Sequence, residues 1–449
     1  MQFIIDLIDL VWISIQNNIT ALLAFGIPLT AFTAVHLSKR GKASKKSLNA
    51  FINVKNAGLT EPTSLHPLIN PNLCVGCASC VTACPEGNVL GIISNRVHLI
   101  NPTHCIGHGA CKAACPMDAI TLVFGTAKRG VDIPVLQPNF ETNMPGIFIA
   151  GELGGMGLIR NAVEQGRQAM ESIKQYIQQI QGPPIDIVII GAGPSGFSAS
   201  LGAHAAKLNY VTVEQDSLGG TVYHFPRGKL VMTAPVELPI IGKVKVNETN
   251  KESLLEFWNA IEKKTKVRIN YKERMEMITA HEGGYLVKTT KGEYHTKTVL
   301  LSIGRRGTPR KLGAKGEEQA KVVYNLIDPE QYQNMHVLVV GGGNSALEAA
   351  TSIAEQPGTT VTLSYRSAAF SRAAEKNREN LAQLESKNRI TVMLKSNVKE
   401  IKSESVIIEQ NGEHTEIPNQ GVIISAGGIL PTPFLKKIGI QVETKFGTP

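Results

Sequence analysis

The sequence predicts an α/β protein that contains two βαβ units of three-layer architecture, a small α+β domain and an N-terminal helix of membrane-spanning length. Three observations predict this fold class. Two glycine-rich turns each follow an apolar strand and precede a helical stretch. All seven cysteines lie within 42 consecutive positions. Residues 10–35 carry no charge.

The composition limits the class of protein. A chain of 449 residues with 43% hydrophobic residues is long enough for about two to four domains, each with its own core. The cysteines are grouped, which argues against a secreted disulfide framework and for a reducing compartment. The net charge is +9, but aromatic residues make up only 5% and are not interleaved with basic ones, so we expect no nucleic-acid partner.

The uncharged stretch 10–35 predicts a membrane anchor. Its 26 residues would form a helix of roughly 39 Å, long enough to cross the hydrocarbon core of a bilayer. Basic residues crowd its C-terminal flank at 39–46, and Asp6 and Asp9 precede it. The positive-inside rule therefore predicts a single-pass anchor in the cytoplasmic membrane, with the catalytic domains in the cytoplasm. The alternative is an amphipathic or buried helix, because Pro28 and a polar patch interrupt the stretch.

The cysteines form two copies of one iron–sulfur pattern. Three thiolates at this spacing hold one 4Fe–4S cluster in bacterial ferredoxins, and the fourth ligates the other cluster. The spacing therefore predicts a ferredoxin-like α+β domain with two clusters. The two copies are Cys74-x2-Cys77-x2-Cys80-x3-Cys84-Pro85 and Cys105-x2-His108-x2-Cys111-x3-Cys115-Pro116. The predicted ligands of cluster I are Cys74, Cys77, Cys80 and Cys115, and those of cluster II are Cys105, Cys111 and Cys84, with His108 undecided.

His108 stands where the repeat requires a cysteine, and three interpretations stay open. Imidazole is a good iron ligand, so cluster II could be a His-ligated 4Fe–4S centre of raised potential. It could instead be a three-cysteine 3Fe–4S centre with His108 nearby. In the third interpretation the second motif is degenerate and His108 is structural.

The first glycine-rich turn follows the apolar strand 185–190 and is followed by a helical stretch and a second strand that ends at Glu214. This order is the fingerprint of a Rossmann-like dinucleotide-binding domain. The glycines let the backbone approach a pyrophosphate at the helix N-terminus, and Glu214 is placed to bind ribose hydroxyls. The turn reads Gly191-Ala192-Gly193-Pro194-Ser195-Gly196.

The second turn has the same form, but no acid ends its second strand. Arg366 stands there, and Arg372 follows six residues later. Arginine at the ribose end suits a 2′-phosphate, so the sequence favours NADPH over NADH. The alternative is that both arginines are solvated surface residues. The turn reads Gly341-Gly342-Gly343-Asn344-Ser345-Ala346.

Two such turns, 150 residues apart, resemble the thioredoxin-reductase-like flavoproteins of the pyridine nucleotide-disulfide oxidoreductase superfamily. In that family an NAD(P)H domain is inserted into an FAD domain. The stretch Leu218-Gly219-Gly220-Thr221 lies where such proteins approach the flavin ring. Residues 298–307 and 421–428 resemble the strands that lead out of the FAD domain and back into it. The resemblance implies FAD and NADPH as cofactors, with NADH as a second option.

The chain departs from that family in the order of its segments. The family ends with a Gly-Asp that binds the FAD ribityl chain and a helix that ends at the flavin. Here the matching segment lies upstream, with Gly151-Glu152 at a strand end and a helix that starts near Leu158–Asn161 and contributes Asn161 and Ala162 to the predicted site. We therefore expect a circular permutation of the FAD domain, which is feasible because domain termini often lie close together.

Seven segments follow from these patterns. They are an anchor (1–41), a linker (42–63), the ferredoxin domain (64–126), the permuted FAD segment (127–181), the FAD-binding domain (182–310), the NAD(P)H-binding domain (311–425) and the return into the FAD domain (426–449).

The predicted function is flavin-mediated electron transfer between NADPH, FAD, two clusters and an external one-electron partner, with no side chain acting as acid or base. The partner is a protein donor or acceptor or a quinone, and a homodimer is compatible with the fold. The nucleotide-binding segments contain no cysteine, which excludes disulfide reduction by a thiol relay. Two alternatives remain: a membrane-tethered redox sensor or electron-transfer subunit without turnover, and an enzyme similar to reductases of low-molecular-weight disulfides.

Overall fold

The computed structural model describes residues 2–57, 59–62, 65–105, 107–127, 129–155, 157–232, 235–244, 248–305 and 307–447. Of residues 2–11, 13–25, 230, 232 and 248 it describes the backbone alone. The chain divides into two compact units. Unit 1 comprises Met1–Ala57, Ile69–Asn101 and Ala110–Thr121, and unit 2 comprises Gly58–Leu68, Pro102–Gly109 and Leu122–Pro449.

The α-helices of the described residues differ widely in length, and the longest is N-terminal. They are α1 (Gln2–Asn56), α2 (Ser79–Ala83), α3 (Ala110–Ala113), α4 (Ile159–Ile177), α5 (Pro194–Ala205), α6 (Lys251–Thr265), α7 (Asn344–Ala354), α8 (Glu375–Ser386) and α9 (Thr432–Lys437).

Helix α1 extends beyond the predicted anchor and continues to Asn56, into the segment predicted as a linker. Residues 42–56 contain no proline or glycine, and their four lysines and two alanines favour helix. No helix in the described part of the chain is both long and apolar enough to cross a membrane. Most of the predicted span lies among the residues whose side chains are not described, so the anchor finds no support here.

The cysteine-rich region contains two small sheets. Strands β1 (His66–Ile69) and β4 (Ile120–Val123) pair, as do β2 (Leu90–Ile93) and β3 (Arg96–Leu99). The turn between β2 and β3 has positive φ at both Ser94 and Asn95, which is the geometry of a two-residue hairpin. Helix α1 packs on this hairpin, where the Phe51 and His98 rings lie 6.4 Å apart.

The first large sheet of unit 2 has the strand order β13-β8-β7-β16-β15-β14, with β6 also paired to β16. Strands β6, β7, β8, β13 and β16 run parallel, and β14–β16 form an antiparallel meander. Helices α4 and α5 pack together over buried Phe148, Ile187 and Leu300. In chain order, β5 and β9–β12 pair outside this sheet, β5 with β27 (Val442–Lys445), β9 with β12, and β10 with β11. The strands between residues 131 and 301 are β5 (Val131–Pro134), β6 (Ile147–Ile149), β7 (Ile185–Ile190), β8 (Tyr210–Glu214), β9 (Leu230–Met232), β10 (Val236–Leu238), β11 (Gly242–Val244), β12 (Glu248–Asn250), β13 (Asn270–Tyr271), β14 (Met275–His281), β15 (Gly284–Thr289) and β16 (Glu293–Leu301).

The second large sheet is parallel and has the order β18-β25-β19-β20-β21. An antiparallel meander, β22-β23-β24, follows β21. Strands β17 and β26 pair where the chain leaves the first sheet and returns to it. The strands between residues 308 and 445, whether or not they belong to this sheet, are β17 (Thr308–Pro309), β18 (Val322–Val323), β19 (His336–Val340), β20 (Thr360–Tyr365), β21 (Ile390–Leu394), β22 (Ser396–Ile401), β23 (Ser405–Gln410), β24 (Glu413–Pro418), β25 (Gly421–Ile424), β26 (Gly428–Ile429) and β27 (Val442–Lys445).

The segment predicted to be permuted lies in the first sheet. Strand β6 pairs in parallel with the C-terminal half of β16, and β27 pairs with β5. Helix α4 approaches α5 so closely that a Cβ added at Gly166 would lie 2.1 Å from the Ser195 carbonyl oxygen. The predicted α/β class with two dinucleotide-type units is confirmed, whereas the permutation and the segment boundaries stay predictions.

Candidate functional site

The first glycine-rich turn opens onto a cavity of about 820 Å³, which we call the first cavity. Gly191 and Gly193 line it, together with Pro194 and Ser195 at the start of α5. The free N–H groups at a helix N-terminus favour an anion at this position. Gly191 has φ +99°, and an added Cβ would lie 2.5 Å from the Ser302 carbonyl oxygen, so only glycine fits there.

Glu214 lies at the end of β8, also lines the first cavity and is only 5% exposed. Its carboxylate accepts hydrogen bonds from the backbone N–H of Ala192 at 2.7 Å and of Asp216 at 2.9 Å. These bonds fix the carboxylate between the glycine turn and the strand end. A carboxylate held at this position can accept further bonds from ribose hydroxyls.

The Gly219-Gly220-Thr221 stretch faces the first turn across the cavity. Gly220 and Thr221 line the cavity, and a Cβ on Gly220 would lie 3.0 Å from the Gly193 Cα. Gly219 does not line the cavity, and its backbone N–H donates to the Ala192 carbonyl oxygen at 3.0 Å. The two glycine stretches thus approach each other closely, and a side chain at Gly220 would meet the backbone of the first turn.

The upstream segment supplies a further wall of the first cavity. Gly151 and Glu152 line it, as does Ala162 in the first turn of α4. Asn161 is partly exposed and does not line it. The N-terminus of α4 therefore faces the cavity, and its dipole favours negative charge there.

Gly196 does not line the cavity, because it lies where α5 packs against the turn. A Cβ there would lie 1.8 Å from the Gly191 carbonyl oxygen. This glycine serves close packing of helix and strand, which is the role of the third glycine in the fingerprint.

The second glycine-rich turn borders a second cavity of about 880 Å³. Gly341, Gly343, Asn344 and Ser345 line it, and Ala346 is buried beneath the turn. Asn344 Oδ1 accepts hydrogen bonds from the Ala374 backbone N–H at 2.6 Å and from Asn377 Nδ2 at 3.1 Å. Its side chain therefore holds the loop that precedes α8 against the turn.

Arg366 and Arg372 are both exposed side chains that line the second cavity. The backbone of Arg372 forms a β-bridge with Gly343, which brings it next to the glycine turn. The two arginines that the sequence predicted for a 2′-phosphate therefore belong to one cavity.

Two residues that were not predicted from the sequence, Tyr365 and Arg305, also line the second cavity. A Cβ on Gly342 would lie 2.3 Å from the Tyr365 ring, and this ring stacks on Phe370 with centroids 5.4 Å apart. Burial lowers the pKa of Arg305, and the Glu152 and Asp132 carboxylates counteract this effect. Arg305 lies in residues 298–307, which the sequence predicted only as a strand leading out of the FAD domain. Its position in the cavity lining depends on the three-dimensional packing of the chain.

The two cavities share part of their lining within unit 2. A site bordered by both can bring two dinucleotides into contact. The shared residues are Glu152, Thr221, His224, Phe225, Pro309, Asn325 and Leu430.

The predicted ligands of cluster I come together in unit 1. Cys74, Cys77, Cys80 and Cys115 line one small cavity. Burial, and then the neighbouring Cys115, raise the pKa of Cys80 to about 11. Four thiols with apolar surroundings fit a cluster that binds thiolates, because iron would displace their protons. Among the described residues, no group of three or more Cys, His, Asp or Glu is arranged to hold a single metal ion.

The predicted ligands of cluster II divide between the units. Cys84 and Cys111 belong to unit 1, and Cys105 and His108 belong to unit 2, so this ligand set stays a prediction. The His108 Nε2 atom is buried. His104, next to Cys105 in the sequence, has its Nε2 atom 3.0 Å from Glu375 Oε2 of α8. This contact within unit 2 joins the Cys105 loop to helix α8.

Residues 188–449 match the family described as pyridine nucleotide-disulphide oxidoreductase, and the chain belongs to this family. Residues 66–116 match the 4Fe-4S dicluster domain. The ferredoxin–NADP reductase of Picrophilus torridus is 31% identical over 270 residues, which are 58% of this chain and 77% of that protein. The enzyme of the same name from Ignicoccus hospitalis is 28% identical over 269 residues, 58% of this chain and 83% of its own.

A solved structure shares the fold. The bacillithiol disulfide reductase Bdr from Bacillus cereus superposes with a TM-score of 0.52 at 24% identity, over 57% of this chain and 82% of that one. The chain is therefore an FAD-dependent pyridine nucleotide oxidoreductase with a 4Fe–4S domain. The predicted recognition of this family is confirmed.

Proposed function

We propose that the chain passes electrons between NADPH and an external one-electron partner, through FAD in the first cavity and iron–sulfur clusters in the cysteine motifs. The observation that carries this proposal is the lining that the two cavities share. A nicotinamide in the second cavity and a flavin in the first can meet there. The relatives from Picrophilus and Ignicoccus are named ferredoxin–NADP reductases, which supports the same function.

The residues of the chain bind and orient the two nucleotides. The α5 N-terminus and the backbone of Gly193 and Gly220, which both line the cavity, would hold the FAD pyrophosphate, and Glu214 would hold its adenosine ribose. Glu152 and the α4 N-terminus would hold the ribityl chain and the pyrimidine edge. When bound, FAD supplies the conversion between a two-electron hydride donor and one-electron clusters.

NADPH is proposed over NADH because Arg366 and Arg372 line the second cavity. Guanidinium groups bind phosphate oxygens through paired hydrogen bonds and stay charged. A nucleotide without the 2′-phosphate would leave this positive charge without a partner.

The cysteine distribution disfavours disulfide reduction, although a related enzyme from Bacillus subtilis is named bacilliredoxin reductase. All seven cysteines fall in the two cluster motifs. A thiol relay beside the flavin would require cysteine in the nucleotide-binding region, residues 127–449, and the sequence has none there. Electron exit through the clusters agrees better with this distribution than a dithiol mechanism.

Anaerobic titration with NADPH tests the proposal. Bleaching of the flavin absorbance, followed by the EPR signal of a reduced cluster, is the expected sequence of events. The matched control is Cys80→Ser, which removes a predicted cluster I ligand and should leave flavin bleaching intact while it weakens the EPR signal. Bound flavin that NADPH fails to reduce would contradict the proposal and favour the redox-sensor alternative.

The same sample tests the proposed number of clusters. Two 4Fe–4S clusters require about eight iron atoms per chain, and a 3Fe–4S second cluster about seven. Membrane attachment is proposed from the sequence alone, because basic residues 39–46 follow an uncharged stretch. Recovery of the full chain in the soluble fraction after cell lysis would contradict it.

A further inference from the structure

The small cavity of cluster I lies close to the surface of unit 1. Cys77 is exposed, whereas Cys74 and Cys80 are buried. The Cys77 Sγ and Ser79 Oγ atoms lie 3.5 Å apart. A cluster bound in this cavity would therefore have one thiolate at the protein surface. An exposed ligand shortens the distance over which an external partner must exchange electrons.

Apolar side chains surround this exposed ligand. Val75 and Met117 line the same cavity as Cys77, and their side chains are 59% and 45% exposed. Leu73, one residue before the first ligand, is 45% exposed. We call Leu73, Val75 and Met117 the apolar rim. Single exposed apolar residues are common, but a group around one cavity is typical of an interaction surface.

Unit 1 as a whole carries an excess of positive charge. Its residues between 39 and 121 include eight lysines and arginines but only two acidic residues, Glu86 and Asp118. The Arg96 guanidinium donates to the Cys74 carbonyl oxygen, directly beside the rim. The lysines of α1 at 42, 45 and 46 are exposed. A protein that docks here would be steered by this field if it carried negative charge.

We infer that the apolar rim over cluster I is the docking surface for an acidic one-electron carrier protein. The inference rests on the proposed function and names its external partner. The carrier covers Cys77 with an apolar centre and meets Arg96 and the other basic residues of unit 1 with its acidic edge. For each NADPH oxidised to NADP⁺ and H⁺, two carrier molecules are each reduced by one electron, and the reverse flow has the same balance.

The test compares a rim variant with a control variant of the complete chain. Leu73→Glu places a negative charge on the rim, at a residue that does not line the cluster I cavity. Leu48→Glu changes an exposed apolar residue of α1, which is also part of unit 1 but does not line the cluster I cavity. The probes are a small acidic ferredoxin, basic cytochrome c and ferricyanide, which is too small to need the docking surface. Stopped-flow rates with NADPH-reduced protein are the readout.

The rim variant should reduce the acidic ferredoxin at least about tenfold more slowly, since electrostatic steering changes association rates by roughly 10- to 1000-fold. Ferricyanide reduction and the cluster EPR signal should stay within twofold of the unmodified chain. Leu48→Glu should leave all rates unchanged. Raising the salt concentration should slow reduction of the acidic ferredoxin by the unmodified chain.

Equal rates for the rim variant and the Leu48→Glu control would overturn the inference while leaving the proposed function intact. A rim variant that slows the reduction of basic cytochrome c as much as that of the acidic ferredoxin would overturn the assigned charge of the partner. Concentration-dependent dimerisation that the rim variant abolishes would assign the surface to a second copy instead. Failure of NADPH to reduce the flavin is a separate result, which concerns the proposed function alone.

Discussion

The two glycine-rich turns share a backbone but differ in the side chains that close them. Gly191 and Gly341 correspond, since each donates its N–H to the second strand of its unit, at Val213 O and Ser364 O. An added Cβ on either would meet a carbonyl oxygen of the neighbouring strand end at about 2.5 Å. The shared contacts fix the turn itself, and the differences begin one residue further along the second strand.

Glu214 and Tyr365 occupy equivalent positions after those strand residues. Glu214 accepts a hydrogen bond from the Ala192 N–H, whereas the Tyr365 ring lies against Gly342. The residue after the first glycine therefore matches the side chain that it contacts. It is Ala192 where that side chain is the Glu214 carboxylate, and Gly342 where it is the Tyr365 ring. Arg366, one residue later, lines the second cavity. One backbone turn can therefore serve two different ligands, because the side chains at the strand ends differ.

The largest effect is expected at the third glycine of the fingerprint. Gly196→Ala would place a Cβ 1.8 Å from the Gly191 carbonyl oxygen, so the turn must shift. Overpacking of this kind costs about 1–3 kcal/mol or more, and bound FAD should be largely lost. The ratio of flavin to protein after purification and the melting temperature measure both effects.

The second turn provides the matched control, because Ala346 already carries a Cβ at the corresponding place. Ala346→Gly removes that atom near the start of α7, where glycine costs roughly 0.5–1 kcal/mol relative to alanine. Bound FAD should be unchanged. An equal decrease in melting temperature and in bound FAD for Gly196→Ala and Ala346→Gly would show that the two turns are packed alike.

A smaller effect is expected at Glu214. Glu214→Gln retains one acceptor oxygen but turns an N–H donor toward one of the two backbone N–H groups that the carboxylate now satisfies. An unsatisfied buried donor costs about 1–3 kcal/mol, and FAD affinity should fall about tenfold. Equilibrium dialysis of FAD measures this loss. Tyr365→Phe, at the equivalent position of the second turn, should leave FAD affinity unchanged, and an equal loss there would break the comparison.

The sequence predicted best what depends on local patterns. The strands expected at 185–190 and 336–340, and the strand ending at Glu214, coincide with β7, β19 and β8. An apolar run that meets a glycine turn determines its own conformation through short-range sterics. The four thiols of cluster I lining one cavity also followed from spacing alone.

Contacts between distant segments were not predictable from the sequence. Arg305 Nη2 donates to the Asp132 carbonyl oxygen at 2.9 Å across 173 residues, and His104 contacts Glu375. Such pairs depend on how sheets and loops pack, which no local periodicity encodes. The length of α1 was underestimated for a different reason: its polar C-terminal half resembled a linker in composition although its residues favour helix.

The smallest effect is expected at the arginines, because both are exposed and water screens their charges. Arg366→Ala and Arg372→Ala should each lower the preference for NADPH over NADH by about tenfold, since a charge-assisted hydrogen bond is worth roughly 1.5–3 kcal/mol and exposure favours the lower end. The ratio of kcat/KM for the two nucleotides, measured by flavin reduction, is the readout. Lys399→Ala is the control: it removes a cation that lines the same cavity but is paired with Glu409 at 2.8 Å, so the ratio should not change. An unchanged ratio in both arginine variants would show that the strand-end residues do not select the nucleotide, and the contrast with Glu214 would then reflect packing alone.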